Sequence, residues 1–157
     1  MIKVIFLDAG PLGILTNPKK PSETVAALQW ARDLLSAGCR LIVPSIADYE
    51  VRRELERAGR TRGIKALDAW NDAREDRYYP LSDGALRRAS QLWAQARNAG
   101  TPTADVRELD CDVLIAAQVL DYQTTYGLSA AEVIVATTNV GHLSRFILAD
   151  RWENLQP

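Results

Sequence analysis

The sequence predicts an α/β domain built on a mostly parallel sheet, and three observations predict it. Short apolar runs at residues 2–7, 40–43 and 132–136 have the length and near-continuous hydrophobicity of strands buried on both faces. Longer stretches with helical apolar spacing lie between them, the alternation expected of α/β folds. No internal repeat or low-complexity segment interrupts the pattern. A length of 157 residues with 47% hydrophobic content suits one domain, residues 1–157, whose core needs neither disulfide nor metal staples.

The first run ends at Asp8 and is followed by Ala9, Gly10, Pro11, Leu12 and Gly13. Gly and Pro stop a strand, so Asp8 stands at its carboxyl end, the edge where open α/β sheets bind ligands. Residues 15–21, with Asn17, two prolines, Lys19 and Lys20, read as a loop. Ser22 is a suitable N-cap for a helix that runs through Trp30 and Leu34 to Gly38. After the second strand and Pro44, Ser45 and Asp48 form a capping-box-like start to a helix that ends at Gly59. Residues 61–75 repeat the helical pattern, 77–81 are extended, and Ser82 opens a helix that closes at Gly100.

A polar loop is expected at 101–109. From Asp110 the pattern is helical to Tyr126 and Gly127, and its stretch from Val113 to Leu120 is almost continuously apolar, as in a central helix. The third strand ends in Thr137, Thr138 and Asn139. A helical turn at 142–146 and a last strand near 152–155 complete the chain.

Charge excludes a global attraction to polyanions: 19 Lys and Arg oppose 20 Asp and Glu, so nucleic-acid binding has to come from local asymmetry. Cys39 and Cys111 lack metal-ligand spacing and read as reduced packing residues of a cytoplasmic protein. The opening apolar run is too short and too soon broken by Asp8 for a signal peptide, and no stretch reaches membrane-spanning length. The glycines after Asp8 lack the dinucleotide fingerprint, and neither a phosphate-binding GxxxxGK[ST] nor a G-x-S-x-G elbow is present.

The remaining polar candidates gather at strand ends and helix starts. Asp110 and Asp112 open the apolar helix, where acids also occur simply because the helix dipole favours them. Glu50 lies near the start of its helix, yet periodicity does not choose it over Glu54, and both have arginines in pairing range. Thr137, Thr138 and Asn139 can support a carboxylate or close a turn. His142, the only histidine, reads as structural or as a substrate contact. Arg52, Arg53, Arg57, Arg60 and Arg62, with Lys19 and Lys20, form either a solvated face, an approach for RNA, or a surface for an inhibitory partner. Trp70, Leu86, Leu92 and Trp93 could form a homodimer face or core.

Four segments in order carry a resemblance: Leu7-Asp8-Ala9-Gly10-Pro11-Leu12, the stretch from Pro44 to Arg53 around Glu50, Asp110-Cys111-Asp112 with the apolar residues after it, and Ala136-Thr137-Thr138-Asn139. Together they resemble the acidic motifs of PIN-domain nucleases, small stand-alone bacterial members and VapC-type toxins included. The resemblance implies a three-layer α/β/α fold and a Mg²⁺- or Mn²⁺-dependent endoribonuclease. It makes Asp8, Glu50 and Asp112 the catalytic acids and metal ligands, favours Glu50 over Glu54, and leaves Asp110 as either a further ligand or the helix cap. Thr137, Thr138 and Asn139 would support the site; Arg52, Arg53 and His142 would touch RNA. An antitoxin protein and a homodimer are the expected assemblies.

The chain departs from the family at Asn139, where many members carry Asp, and at His142, where some members with Asn carry that Asp. Two other readings follow: a PIN-like module that binds RNA or protein without cleaving, and a haloacid-dehalogenase-like phosphatase. The phosphatase would want a second acid where Gly10 stands.

Overall fold

In the computed structural model, which describes residues 1–105 and 110–157, five strands form one sheet. They are β1 Val4–Leu7, β2 Arg40–Pro44, β3 Tyr78–Tyr79, β4 Val133–Thr137 and β5 Ala149–Arg151. Their order is β3-β2-β1-β4-β5 and every pairing is parallel, with Phe6 opposite Ile42 on one side and Val135 on the other. The chain leaves β1 toward β2 and β3, then returns to its other side for β4 and β5. The carboxyl ends of β1 and β4 therefore flank the switch point, where such a sheet opens a crevice.

Among the described residues seven α-helices complete a three-layer α/β/α, PIN-like fold: α1 Ala9–Leu15, α2 Ser22–Ser36, α3 Ser45–Arg57, α4 Thr61–Asp72, α5 Asp83–Asn98, α6 Cys111–Tyr126 and α7 Val140–Leu143. The expected central helix is α6, buried from Val113 through Val119, with α5 packed along it. Strands β1 and β4 are buried throughout, as their apolar runs require. Gly127 ends α6 in the left-handed conformation at φ 64°, which a residue without Cβ adopts freely.

Several local expectations are corrected. The residues after Asp8 form α1 directly, with the Asp8 carboxylate as its cap; Gly10 and Pro11, which stop a strand, fit a helix's first turn, where a missing N–H costs nothing. Ser22 and Ser45 are first helical residues, and the cap positions belong to Pro21 and Pro44, which carry no side-chain acceptor. Helix α4 ends at Asp72, and only Tyr78 and Tyr79 of the expected 77–81 piece pair with β2. The last strand lies earlier than expected, at Ala149–Arg151, because Trp152 turns in to bury edge-on against Trp30. The expected loop is irregular through residue 105, and its part at 106–109 lies outside the described residues.

The apolar reading of α6 also hides Gln118, which is fully buried. Its Oε1 accepts from Ile46 N at 3.4 Å, and its Nε2 donates to Ser45 Oγ at 3.1 Å and Tyr79 O at 3.0 Å. The amide thus supplies, from α6, the acceptor that Pro44 cannot offer the start of α3.

Of the four residues weighed as a dimer face, Leu92 is in the core, Trp70 and Trp93 are half-buried against it, and only Leu86 stands exposed. Among the described residues no helix is long and apolar enough to cross a membrane.

Candidate active site

Asp8 follows β1 at the switch point. Its Oδ1 accepts from Ala9 N at 2.7 Å and its Oδ2 from Thr137 Oγ1 at 2.6 Å. Asn139 N in turn donates to Thr137 Oγ1 at 2.9 Å, so the end of β4 is folded onto the Asp8 carboxylate. Burial pushes the Asp8 carboxyl above its ordinary range; the bonds from Thr137 and Ala9 oppose that, and the nearby Asp112 charge adds to it.

Glu50 reaches the same crevice from α3. Its pKa is raised first by burial, then by the Asp8 charge; Arg53 opposes this, Asp112 adds to it, and a hydrogen bond with Cys111 lowers it. Asp112 enters from the first turn of α6, half-buried, with Oδ2 at 2.9 Å from His142 Nδ1. The structure therefore brings Asp8, Glu50 and Asp112, from three distant parts of the sequence, into one another's electrostatic field. Glu54 instead pairs with Arg57 at 2.8 Å on the exposed face of α3.

Other candidates sort differently. Asp110 is the cap of α6: Oδ1 accepts from Val113 N at 3.1 Å and Oδ2 from the Thr103 hydroxyl. Arg52 sits across the helix from Glu50, bonded to Asp48 at 2.9 and 3.0 Å and to Asp68 at 2.7 Å, where it ties α3 to α4. Arg53 is exposed, 3.9 Å from Glu50 and stacked on the exposed Tyr49 ring at 5.2 Å. Thr138 lies against Gly10, where a Cβ would stand 2.8 Å from Thr138 Cγ2. A side chain at position 10 would therefore force Thr138 to shift. Asn139 occupies the cap position of α7 without a side-chain cap bond.

Sequence reasoning missed three contributors. Cys111, flanked by two acids, bonds Glu50, and burial with the Glu50 charge pushes its thiol up to about 12, so it serves as a neutral donor. Its position between Asp110 and Asp112 was the available signal. Gln118 and the closeness of Gly10 to Thr138 had none, since both depend on tertiary packing.

A groove of about 1070 Å³ runs from this site between α1, α3 and the start of α4. Of the three acids Glu50 lines it, beside Ala9 and Gly10, and Lys19, Arg53 and Arg60 are among its basic walls.

The donor set suits a hard divalent cation: carboxylate oxygens, two of whose pKa values are raised first by burial and further by the neighbouring acids, with Asp112 in the same field. Among the described residues, however, no three acidic, histidine or cysteine side chains are already drawn together as ligands. Holding an ion therefore requires side-chain rotation of Glu50 or Asp112 toward Asp8, which is fixed at both oxygens.

The five-stranded parallel sheet and its flanking helices define a PIN-like α/β fold. Solved structures that share the fold include VapBC2 from Rickettsia felis bound to a promoter DNA fragment, with TM-score 0.69, 16% identity, and coverage of 95% of this chain and 98% of that one. DNA-bound VapBC from Salmonella typhimurium matches with TM-score 0.66 and 19% identity over 97% and 99% of the two chains. FitAcB from Neisseria gonorrhoeae matches with TM-score 0.61 and 18% identity over 96% and 99%. At these identities the likeness is one of fold. No family model and no curated protein matches the sequence.

Proposed function

We propose that the protein is a Mg²⁺- or Mn²⁺-dependent endoribonuclease with Asp8, Glu50 and Asp112 as its catalytic acids. The observation that carries this reading is the meeting of those three acids at the switch point, where burial and mutual repulsion raise the pKa values of Asp8 and Glu50. Two carboxylates about 4 Å apart repel by roughly 4 kcal/mol at an effective dielectric near 20, a cost that a bound cation relieves. A divalent ion at such a site lowers the pKa of bound water and stabilises charge on the phosphate oxygens.

The chain's own groups do the rest. Thr137 and Ala9 hold Asp8 in one orientation. Cys111 and Arg53 keep Glu50 on the crevice side of α3. Lys19, Arg53 and Arg60 line the groove as points of contact for RNA phosphates. Its neighbours of like fold include VapBC complexes. With the resemblance in the sequence, they support a toxin with an antitoxin partner; a homodimer and a cytoplasmic location are proposed on the sequence reading alone.

Incubation of a generic single-stranded RNA with the protein tests the reading. Cleavage should require Mg²⁺ or Mn²⁺, stop with EDTA, and be lost in Asp8→Asn. Cleavage that survives chelation overturns it.

A second reading, a PIN-like RNA- or protein-binding module, is favoured by Asn139 and by the absence, among the described residues, of a preassembled ligand trio. It predicts RNA binding without cleavage under the same conditions. The phosphatase reading loses ground because Gly10 stands where its second acid would be.

A further inference from the structure

We propose, building on the reading of the three acids as a cation site, that His142 is a positioning residue that fixes the Asp112 carboxylate for a divalent ion. The turn after β4 grips two of the acids at once. At one end Thr137 Oγ1 donates to Asp8 Oδ2 at 2.6 Å and accepts from Asn139 N at 2.9 Å. At the other, His142 on α7 places Nδ1 2.9 Å from Asp112 Oδ2. The stretch 137–142 therefore sets the spacing between Asp8 and Asp112, which the sheet and α6 would otherwise fix only at the backbone.

An Asp on the first turn of a helix keeps two side-chain torsions, and its carboxylate is half-exposed here. A ring N–H on Oδ2 removes that freedom and leaves Oδ1 to serve as the ligand. Both oxygens of Asp8 and one of Asp112 accept hydrogen bonds, which orient the two carboxylates while leaving each oxygen a further lone pair for an ion.

The test is Mn²⁺ binding, followed by the free-ion EPR signal, with the intact protein and three variants. The wild-type chain should bind Mn²⁺. His142→Ala should bind it at least about tenfold more weakly, the usual range for loss of a group that orients a ligand. His142→Asn, whose amide nitrogen takes the place of Nδ1, should recover most of the affinity, and His142→Gln, whose amide reaches the Nε2 position, should not. In the metal-free protein, long-range ¹H–¹⁵N spectra should show a proton on His142 Nδ1 that shifts in Asp112→Asn.

Equal affinity in wild type and His142→Ala, equal rescue by Gln and Asn, or an unprotonated Nδ1 each overturns the proposal while leaving the cation site standing. A wild-type chain that binds no Mn²⁺ overturns the cation site itself, and the proposal with it.

Discussion

Thr137 Oγ1 and Asp8 Oδ2, 129 positions apart in sequence, share a hydrogen bond of 2.6 Å. The hydroxyl is fully buried and stands between the Asp8 carboxylate and the backbone of Asn139. Thr137→Val keeps the shape and removes the donor. It should lower stability by about 1.5–3 kcal/mol, the usual worth of a hydrogen bond to a charged group. Urea denaturation at neutral pH measures this; Thr137→Ser should fall between the two, and an unchanged Thr137→Val midpoint would sink the assignment.

The raised pKa values of Asp8 and Glu50 give a pH dependence of definite sign. A carboxyl that holds its proton more tightly when folded costs stability once ionised. As pH falls from neutral through the raised folded values toward the ordinary 3.8 and 4.5, that cost is relieved and the protein is stabilised. In EDTA the melting temperature should therefore rise on mild acidification, with a smaller rise in Glu50→Gln. Glu132, held at about 2 by Lys3 and Ser129, acts oppositely, but its contribution is complete above 4.5 and is lost only as pH falls below it.

Metal should reverse that slope. With saturating Mg²⁺ or Mn²⁺ the ionised acids are the binding form, so stabilisation by the ion should grow from acid to neutral pH. Asp112→Asn should keep the metal-free stability of the parent or exceed it, while losing both cleavage and metal-induced stabilisation. A metal-free Asp112→Asn that melts well below the parent would make Asp112 a structural residue.

Neighbouring arginines on α3 should separate cleanly. Arg52→Ala leaves the buried Asp48 without its ion partner and should cost about 1–3 kcal/mol in stability, with little change in RNA affinity. Arg53→Ala should leave stability nearly unchanged, weaken RNA binding, and reduce the salt slope by about 1. The reverse pattern would move the RNA approach to the opposite face of α3.

Gly10→Ala drives a methyl group into Thr138 and should destabilise by about 1–3 kcal/mol, as overpacking does. Pairing it with Thr138→Ala should recover part of the loss, as a double-mutant cycle in thermal denaturation would show.

The sheet and its acids were legible because burial on both faces leaves a plain mark in composition. Runs such as Val4–Leu7 and Val133–Thr137 have no polar residue until their ends, so Asp8 and Thr137 announce the strand tips. Glu50 was less legible, since Glu54 shares its helix and its spacing; only the fields of Asp8 and Asp112 separate the two. Helix α1 was hidden because Gly and Pro end a strand and begin a helix equally well. Arg52 and Gln118 were misread or passed over because their partners, Asp68 and the Ser45–Ile46 backbone, are set by how α3 meets α4 and α6.

The placement of β4 beside β1 also orders events in time. A chain emerging from the ribosome completes β1, β2 and β3 early, but one edge of β1 stays bare until β4 is made and docks. During that interval Asp8 has no Thr137 to hold it, and the crevice has only one wall. Order at the Asp8 carboxylate thus waits for the closing strand, which carries the hydroxyl that holds it.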